Sequence, residues 1–265
     1  MRIARFSIGS TVAYGIVEGA GPDVVSSDPN EAKIRPIKSM PFGDVEPTES
    51  TFPLSTVTLL APVLPSKVVG IGKNYADHAR ELDAPLPDEP LMFLKPNSAV
   101  IGPMDTIRLP EQSERVDFEG ELAVVIGTMC RHIDPEDAHR VIGGYTCAND
   151  VTARDLQVAD GQWARAKGFD SFCPLGPWLE TSLDAADQSL TTTVNGAEKQ
   201  SASTAELLFG VPELVSYVSS VMTLLPGDVI LTGTPAGIGP LRDEDQVSVS
   251  ISGIGTLTNE VMLSE

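Results

Sequence analysis

Glu119 and Glu121 stand two positions apart at the entrance to an apolar run, VDFEGELAVVIG (116–127). In a strand, positions i and i+2 face the same side, so the two carboxylates would share a face. Side by side ahead of a buried strand they repel one another unless a cation or a shared proton compensates them. Gly120 between them is expected to leave room for a ligand to approach closely. A third acid, Asp150, ends another apolar run, Val141 to Ala148, and is expected at a neighbouring strand end. Three carboxylates with positions open for water or substrate suit a hard, oxygen-preferring ion, Mg2+ or Mn2+, better than zinc. Only three histidines are present. On the E-G-E spacing alone, a solvated strand edge is the commoner reading.

The elements that would position these acids are mostly short strands. KVVGIG, LMFLKP, ELAVVIG, GGYTCAND, DVILTG and QVSVSIS are β-type runs separated by turn residues. A helix is expected from Pro212, where Leu214, Val215, Val218, Val221, Met222 and Leu225 keep the 3.6-residue period, with Gly227 marking its end. A short helix should start at Asp134-Pro135, an N-cap followed by proline at the first helical position. Asn195-Gly196 signals a tight hairpin turn. Residues 1–19 read as a β-hairpin and 20–62 as a loop-rich stretch, giving a small N-terminal unit over 1–62 and a catalytic domain over 63–265. The fold class predicted is α+β, mostly β, with few helices.

With 18 Lys and Arg against 37 Asp and Glu, the formal charge is −19. That speaks against nucleic acid, whose phosphates are met by basic residues. It also repels anionic substrates, so an enzyme handling a carboxylate here needs local positive charge from a metal ion or a Lys/Arg cluster. No apolar run approaches the roughly 20 residues that span a bilayer, and the N-terminus alternates and breaks at Gly9-Ser10 instead of forming a signal-peptide core. A cytoplasmic protein with no membrane or nucleic-acid partner is expected. Cys130, Cys147 and Cys173, far apart and odd in number, read as small buried hydrophobes.

Seven separate motifs, GIGKNYADHARE (70–81), FLKP (93–96), VDFEGELAVVIG (116–127), NDVTARDLQ (149–157), RAKGFDSFCPLGP (165–177), VNG (194–196) and LLPGDVILTGTPAGIG (224–239), occur in order. Together they resemble the fumarylacetoacetate hydrolase family from about Leu60 to Asn259, and 1–62 looks like the extra domain of one bacterial branch. The resemblance implies a mixed β-sandwich roll, a homodimer, and Mg2+ or Mn2+ held by Glu119, Glu121 and Asp150. It implies that His78 and Glu81 lie on a short lid helix, that Lys167 is directed at the reacting oxygens, and that Arg154, Gln157 and Thr234 contact substrate. Taken singly, Lys95, Arg154 and Lys167 would read as surface charges, and His78 with Glu81 as an exposed helix pair. Lys73 stands where many relatives carry arginine, replacing a bidentate fork by a point charge.

By the same resemblance, the chain is expected to be an enzyme acting on a small 2-oxo acid through a metal-bound enolate. The reaction expected first is hydrolytic C–C cleavage of an acylpyruvate such as fumarylpyruvate: His78, oriented by Glu81, activates water, and Lys167 helps hold the enolate. Oxaloacetate decarboxylation and 2-hydroxyhepta-2,4-diene-1,7-dioate isomerisation use the same intermediate, and a non-catalytic metal-binding scaffold is the remaining alternative.

Overall fold

The six apolar runs become the strands Val68–Gly72, Leu91–Lys95, Gly120–Ile126, Ile142–Asn149, Val229–Leu231 and Gln246–Ile251. A computed structural model describes residues 1–19 and 32–264 of the chain. The first five of these strands lie next to one another in a twelve-stranded sheet, in the order Ile142–Asn149, Gly120–Ile126, Val229–Leu231, Val68–Gly72, Leu91–Lys95. Gln246–Ile251 belongs to a second, five-stranded sheet with Ala197–Ser203, Ser189–Val194, Gly255–Leu263 and Thr106–Leu109. A small third sheet joins Thr152–Ala153, Val116–Phe118 and Gly239–Pro240. The mostly-β fold with few helices is the one predicted.

Burial of both faces explains why Gly120–Ile126 reads as a continuous apolar run rather than an alternating one. Leu122, Val124 and Ile126 pack with Val69, Ile71, Ile230, Val249 and Ile251. Ala123 and Val125 point the other way, onto Val68, Ala148, Leu175, Val229 and Leu231. Glu121 shares this second face, and Gly120 the first.

That geometry corrects the expectation for Gly120. A Cβ there would lie 2.1 Å from Thr192 Oγ1, 3.2 Å from Gln200 Oε1 and 3.3 Å from Val249 Cγ1. The glycine therefore lets the second sheet approach the first, and no ligand uses the space, because residues i and i+1 of a strand face opposite sides. Lys167 and Arg154, by contrast, reach Glu119 from the other face.

The N-terminal hairpin forms as predicted, Arg2–Ile8 against Thr11–Glu18. Arg2–Ile8 also pairs with Thr58–Leu60 and with Cys173–Glu180, so the large sheet runs continuously from the hairpin into the rest of the chain. The loop-rich expectation for 20–62 lies in part, at 20–31, outside the described residues. Cys173–Glu180 was not legible as a strand, because Pro174, Gly176 and Pro177 read as turn residues. Its ladder to Ile142–Asn149 shifts register between the Cys147–Gly176 and Tyr145–Glu180 pairs, which accommodates Pro177 where no N–H is available.

Four α-helices are formed among the described residues: α1 (Ala76–Glu81), α2 (Arg154–Asp160), α3 (Ala164–Gly168) and α4 (Val211–Val221). Helix α4 buries Leu214, Val215 and Val218 as the period requires, but it ends at Val221. Leu225 lies beyond it and is partly exposed, and Gly227 serves the turn into Val229–Leu231, where its φ is 90°. The helix at Pro135–Arg140 is 3-10, and the Asp134 side chain makes no capping bond. The hairpin turn at Asn195-Gly196 has both residues at positive φ, 51° and 76°. No helix among the described residues is long and apolar enough to cross a membrane.

Because the atoms facing Gly120 belong to buried residues on three adjacent strands of the second sheet, Gly120→Ala is expected to destabilise the protein by about 1–3 kcal/mol through overpacking. Urea unfolding followed by circular dichroism measures it; an unchanged midpoint would contradict the close approach of the two sheets.

Candidate metal centre and active site

Glu119 occupies the one-residue break between Val116–Phe118 and Gly120–Ile126. Its N–H donates to Asn149 Oδ1 at 2.9 Å and its carbonyl accepts from the Asp150 N–H at 2.8 Å. With Gly120 paired to Asn149, this cross-link sets Asp150 directly beside the glutamates. Ligand atoms of Glu119, Glu121 and Asp150 all lie within 4.8 Å of one another, and all three residues are buried. The solvated-edge reading of the pair does not hold.

Three cations, each from a different element, meet these acids. Lys167, on α3, donates to Glu119 Oε2 at 2.8 Å and to Asp150 Oδ2 at 2.5 Å. Lys95, the last residue of Leu91–Lys95, donates to Asp150 Oδ1 at 2.5 Å and to the Val151 carbonyl at 3.2 Å. Arg154 opens α2 and donates to Glu119, to Asp117 Oδ2 at 2.9 Å and to Gln157 Oε1 at 2.6 Å. Lys95 is 1 % exposed and Lys167 2 %, so neither is the surface charge that its type alone suggests. Buried carboxylates this close together hold cations out of water.

Asp117, wholly buried and bonded to both Arg154 and Arg115, escaped the sequence reading. A signal was present: a charge between Val116 and Phe118 in a buried strand demands a partner. Gln200 was also missed. From the second sheet it accepts from the Gly120 N–H at 2.9 Å and donates to Thr234 Oγ1 at 2.7 Å, and nothing in its surroundings in sequence marks it.

The acids divide electrostatically. Burial alone would raise the pKa of Glu119, but the charges of Lys167, Arg154 and His78 and the Lys167 hydrogen bond hold it well below the usual carboxylate range. Glu121 is driven the other way, well above that range, first by burial and then by the charges of Asp150 and Glu119. Its carboxylate accepts from a backbone group, the Gly233 N–H at 2.7 Å, and no lysine or arginine among the described residues is paired with it. Burial also pushes the Cys147 and Cys173 thiols up to about 12, in keeping with their reading as buried hydrophobes.

An all-oxygen set with one uncompensated carboxylate fits a hard divalent cation, which would supply the charge Glu121 lacks. A cavity of about 230 Å3 opens onto the three acids. Lys73, His78, Arg154, Gln157, Lys167 and Thr234 also line it, so of the ten residues singled out from sequence nine share one cavity.

The tenth, Glu81, sits behind His78. Its Oε2 lies 3.1 Å from His78 Nδ1, and its Oε1 accepts from the Gly237 N–H at 3.0 Å. The imidazole is buried, 4 % exposed, unlike the exposed helix pair that the spacing alone suggests. The Thr234 hydroxyl donates to the Gly120 carbonyl at 2.9 Å, so a substrate carboxylate would have to draw it away from that bond.

Residues 67–262 match the family model described as fumarylacetoacetate (FAA) hydrolase C-terminal. The chain belongs to the fumarylacetoacetate hydrolase family. Residues 1–62 match a second model, Rv2993c-like, N-terminal. Among curated relatives, Protein Rv2993c of Mycobacterium tuberculosis is 51% identical over 265 residues, covering 99% of this chain and 98% of its own. The mitochondrial oxaloacetate tautomerase FAHD2A of Bos taurus is 46% identical, covering 79% of this chain and 71% of its own. Among solved structures, the 2-hydroxyhepta-2,4-diene-1,7-dioate isomerase of Mycobacterium marinum aligns with a TM-score of 0.92 at 49% identity, over 100% of this chain and 99% of that one. The maleylpyruvate hydrolase of Sphingobium sp. SYK-6, in complex with manganese (II) ion and pyruvate, aligns with a TM-score of 0.80 at 30% identity over all of both chains.

For this member of the family, Glu121→Gln should move two measurements in opposite directions. A group whose folded pKa is raised contributes stability that is present below its unfolded pKa and lost as pH rises through the folded value. The metal-free protein should therefore lose stability as pH rises from the ordinary carboxylate range, and Glu121→Gln should flatten that loss. The same variant should weaken Mn2+ binding by about tenfold or more, since a neutral amide replaces an anionic ligand. Thermal melts across pH and calorimetric Mn2+ titration read the two effects; unchanged Mn2+ affinity would remove Glu121 from the ligand set.

Proposed function

We propose that this chain is a divalent-metal-dependent enzyme that enolises a small 2-oxo acid, with His78 as the base and proton transfer on the substrate carbon as its reaction. The observation that carries the reading is the chain Gly237 N–H, Glu81, His78, which holds a buried imidazole on the cavity that contains the three carboxylates and Lys167. With Nδ1–H directed at Glu81, Nε2 is the nitrogen left to take a proton. His78 would remove a proton from C3 of the 2-oxo acid; the C–H electron pair becomes the C2–C3 π bond, and the carbonyl pair moves onto oxygen. Lys167 has three N–H donors and two are engaged by Glu119 and Asp150, leaving one for that oxygen. Bound at Glu119, Glu121 and Asp150, a cation such as Mg2+ or Mn2+ would polarise the carboxylate and 2-oxo oxygens.

Return of the proton at oxygen completes a keto–enol interconversion, and return at a distant carbon of a dienol completes a double-bond shift. The tautomerase at 46% identity and the isomerase at 49% favour these outlets. The hydrolytic reading is the second. In it His78 takes a proton from water, the hydroxide adds to C4 of an acylpyruvate, and the C3–C4 pair departs as the pyruvate enolate. The maleylpyruvate hydrolase at 30% identity supports it.

Assays of oxaloacetate keto–enol exchange, the heptadienedioate and acylpyruvates, each with Mg2+, Mn2+ or EDTA, separate these readings. Activity is expected to vanish with EDTA and to return with either metal. His78→Ala should lower kcat for tautomerisation, isomerisation or hydrolysis by about 10²–10⁴, the usual contribution of a positioned base. Oxaloacetate decarboxylation needs no base and should fall much less. Full activity at near-zero metal content, or equal losses in all reactions, would sink the assignment.

A further inference from the structure

Besides its bonds to Glu119 and Asp150, the ammonium of Lys167 stands over the face of Phe93, 5.0 Å from the ring centroid. Phe93 lies two positions before Lys95 in the strand Leu91–Lys95, so the ring and the Lys95 side chain share a face of that strand. Two glycines of the neighbouring strand Val68–Gly72 make room for the aromatic groups here. Gly70 is the cross-strand partner of Phe93, and a Cβ on it would overlap Cζ of the ring. Gly72, two residues on, lets Trp163 approach so closely that a Cβ would lie 2.8 Å from Cζ3 of the indole. The rings of Phe93 and Trp163 form a T-shaped pair with centroids 5.3 Å apart. Trp163 is itself tied to the lysine, because its carbonyl accepts the Lys167 N–H at 2.9 Å. The Phe93 ring is thus seated over one glycine and braced by the indole, and Phe93, Trp163 and Lys167 all line the cavity.

An aromatic face attracts a cation through its quadrupole, most strongly where water is excluded. It adds no formal charge to a cluster already crowded with carboxylates. A further carboxylate or carbonyl in its place would spend the last N–H of Lys167 on the protein. We propose that Phe93 is a positioning residue: its ring holds the Lys167 ammonium in place and leaves one N–H for the oxygen on which enolate charge develops. The assignment deepens the enolisation reading and rests on it for the role of Lys167. A packing role would ask only for apolar bulk at position 93, whereas this one asks for a π face.

The test changes the charge distribution of the ring and leaves its shape nearly alone. Phenylalanines carrying one, two and three fluorines, inserted at position 93, drain the ring face progressively. At saturating Mg2+, kcat for oxaloacetate keto–enol exchange should fall stepwise, by about three- to thirtyfold across the series, the size of a desolvated cation–π contact, with KM little changed. Oxalate, an unreactive planar dianion shaped like the enolate of pyruvate, should show the same stepwise loss of affinity when titrated calorimetrically into the Mg2+-loaded protein. In a Lys167→Met background both series should be flat. No dependence on fluorine with Lys167 present, or the same slope with Lys167→Met, would overturn the proposal. Should Lys167→Met fail to fold, cyclohexylalanine at position 93 replaces it as the control: similar in bulk and without a π face, it should match the trifluorinated protein, and undiminished kcat and oxalate binding would overturn the proposal. Should the protein enolise no 2-oxo acid while oxalate binding still tracks fluorination, the hold of the ring on Lys167 stands and the enolisation reading fails. Should enolisation persist without any dependence on fluorine, the role of Phe93 alone fails.

Discussion

The ammonium of Lys167 lies between the carboxylates of Glu119 and Asp150, and much of the surrounding structure serves to keep that cluster out of water. Each buried ion carries a desolvation cost of several kcal/mol, offset only if opposite charges and hydrogen bonds meet it in good geometry. Asp117, Glu119, Glu121 and Asp150 supply four buried acids, and Lys95, Arg154 and Lys167 supply three buried cations. Those cations come from a strand end, Lys95, and from two short successive helices some sixty residues further on. Helices α2 and α3 are too short to be stable alone. One side chain from each pairs with the same carboxylate, Glu119, and Leu156 and Ala166 pack into a shared apolar cluster.

The same constraint explains why two sheets are needed. Glu119 and Glu121 project to one face of their strand, and the residue between them must project to the other. Gly120 meets that requirement by admitting Thr192 and Gln200 of the second sheet to its backbone. Gln200 then braces Thr234 and Pro235 in the turn whose Gly233 N–H holds Glu121. Four residues further on, Gly237 holds Glu81 and through it His78. One turn, supported from the second sheet, therefore positions both a metal-ligand candidate and, through Glu81, the imidazole of His78.

Much of this was legible in the sequence because it rests on local patterns. The six apolar runs, the Asn195-Gly196 turn and the E-G-E pair each announce themselves within a few residues. The features that stayed hidden depend on which distant residues meet. Lys95 reads as a surface charge until Asp150 is seen against it, and Gln200 sits in an ordinary polar hairpin until its reach to Gly120 is known. Cys173–Glu180 was hidden by its prolines, which are tolerated because the ladder shifts register around them. Leu225 continued the α4 period by coincidence; the chain leaves the helix at Met222, where an extended backbone starts the return toward Val229–Leu231.

The division between centre and rim bears on why one family includes a tautomerase, an isomerase and a hydrolase. On the enolisation proposed above, a centre that gathers negative charge from a 2-oxo acid would do the same work in each, so its acids and cations would not decide the outcome. The outcome would then depend on what the enolate meets next: a proton at oxygen, a proton at a remote carbon, or an acyl group already displaced by water. On that proposal the choice would lie with His78 and with the residues that line the rest of the cavity. Here the cavity lining includes apolar Leu82, Val158 and Trp163 together with Lys73. Lys73 makes no ion pair with the buried carboxylates among the described residues, so it stands outside the network that holds them in place.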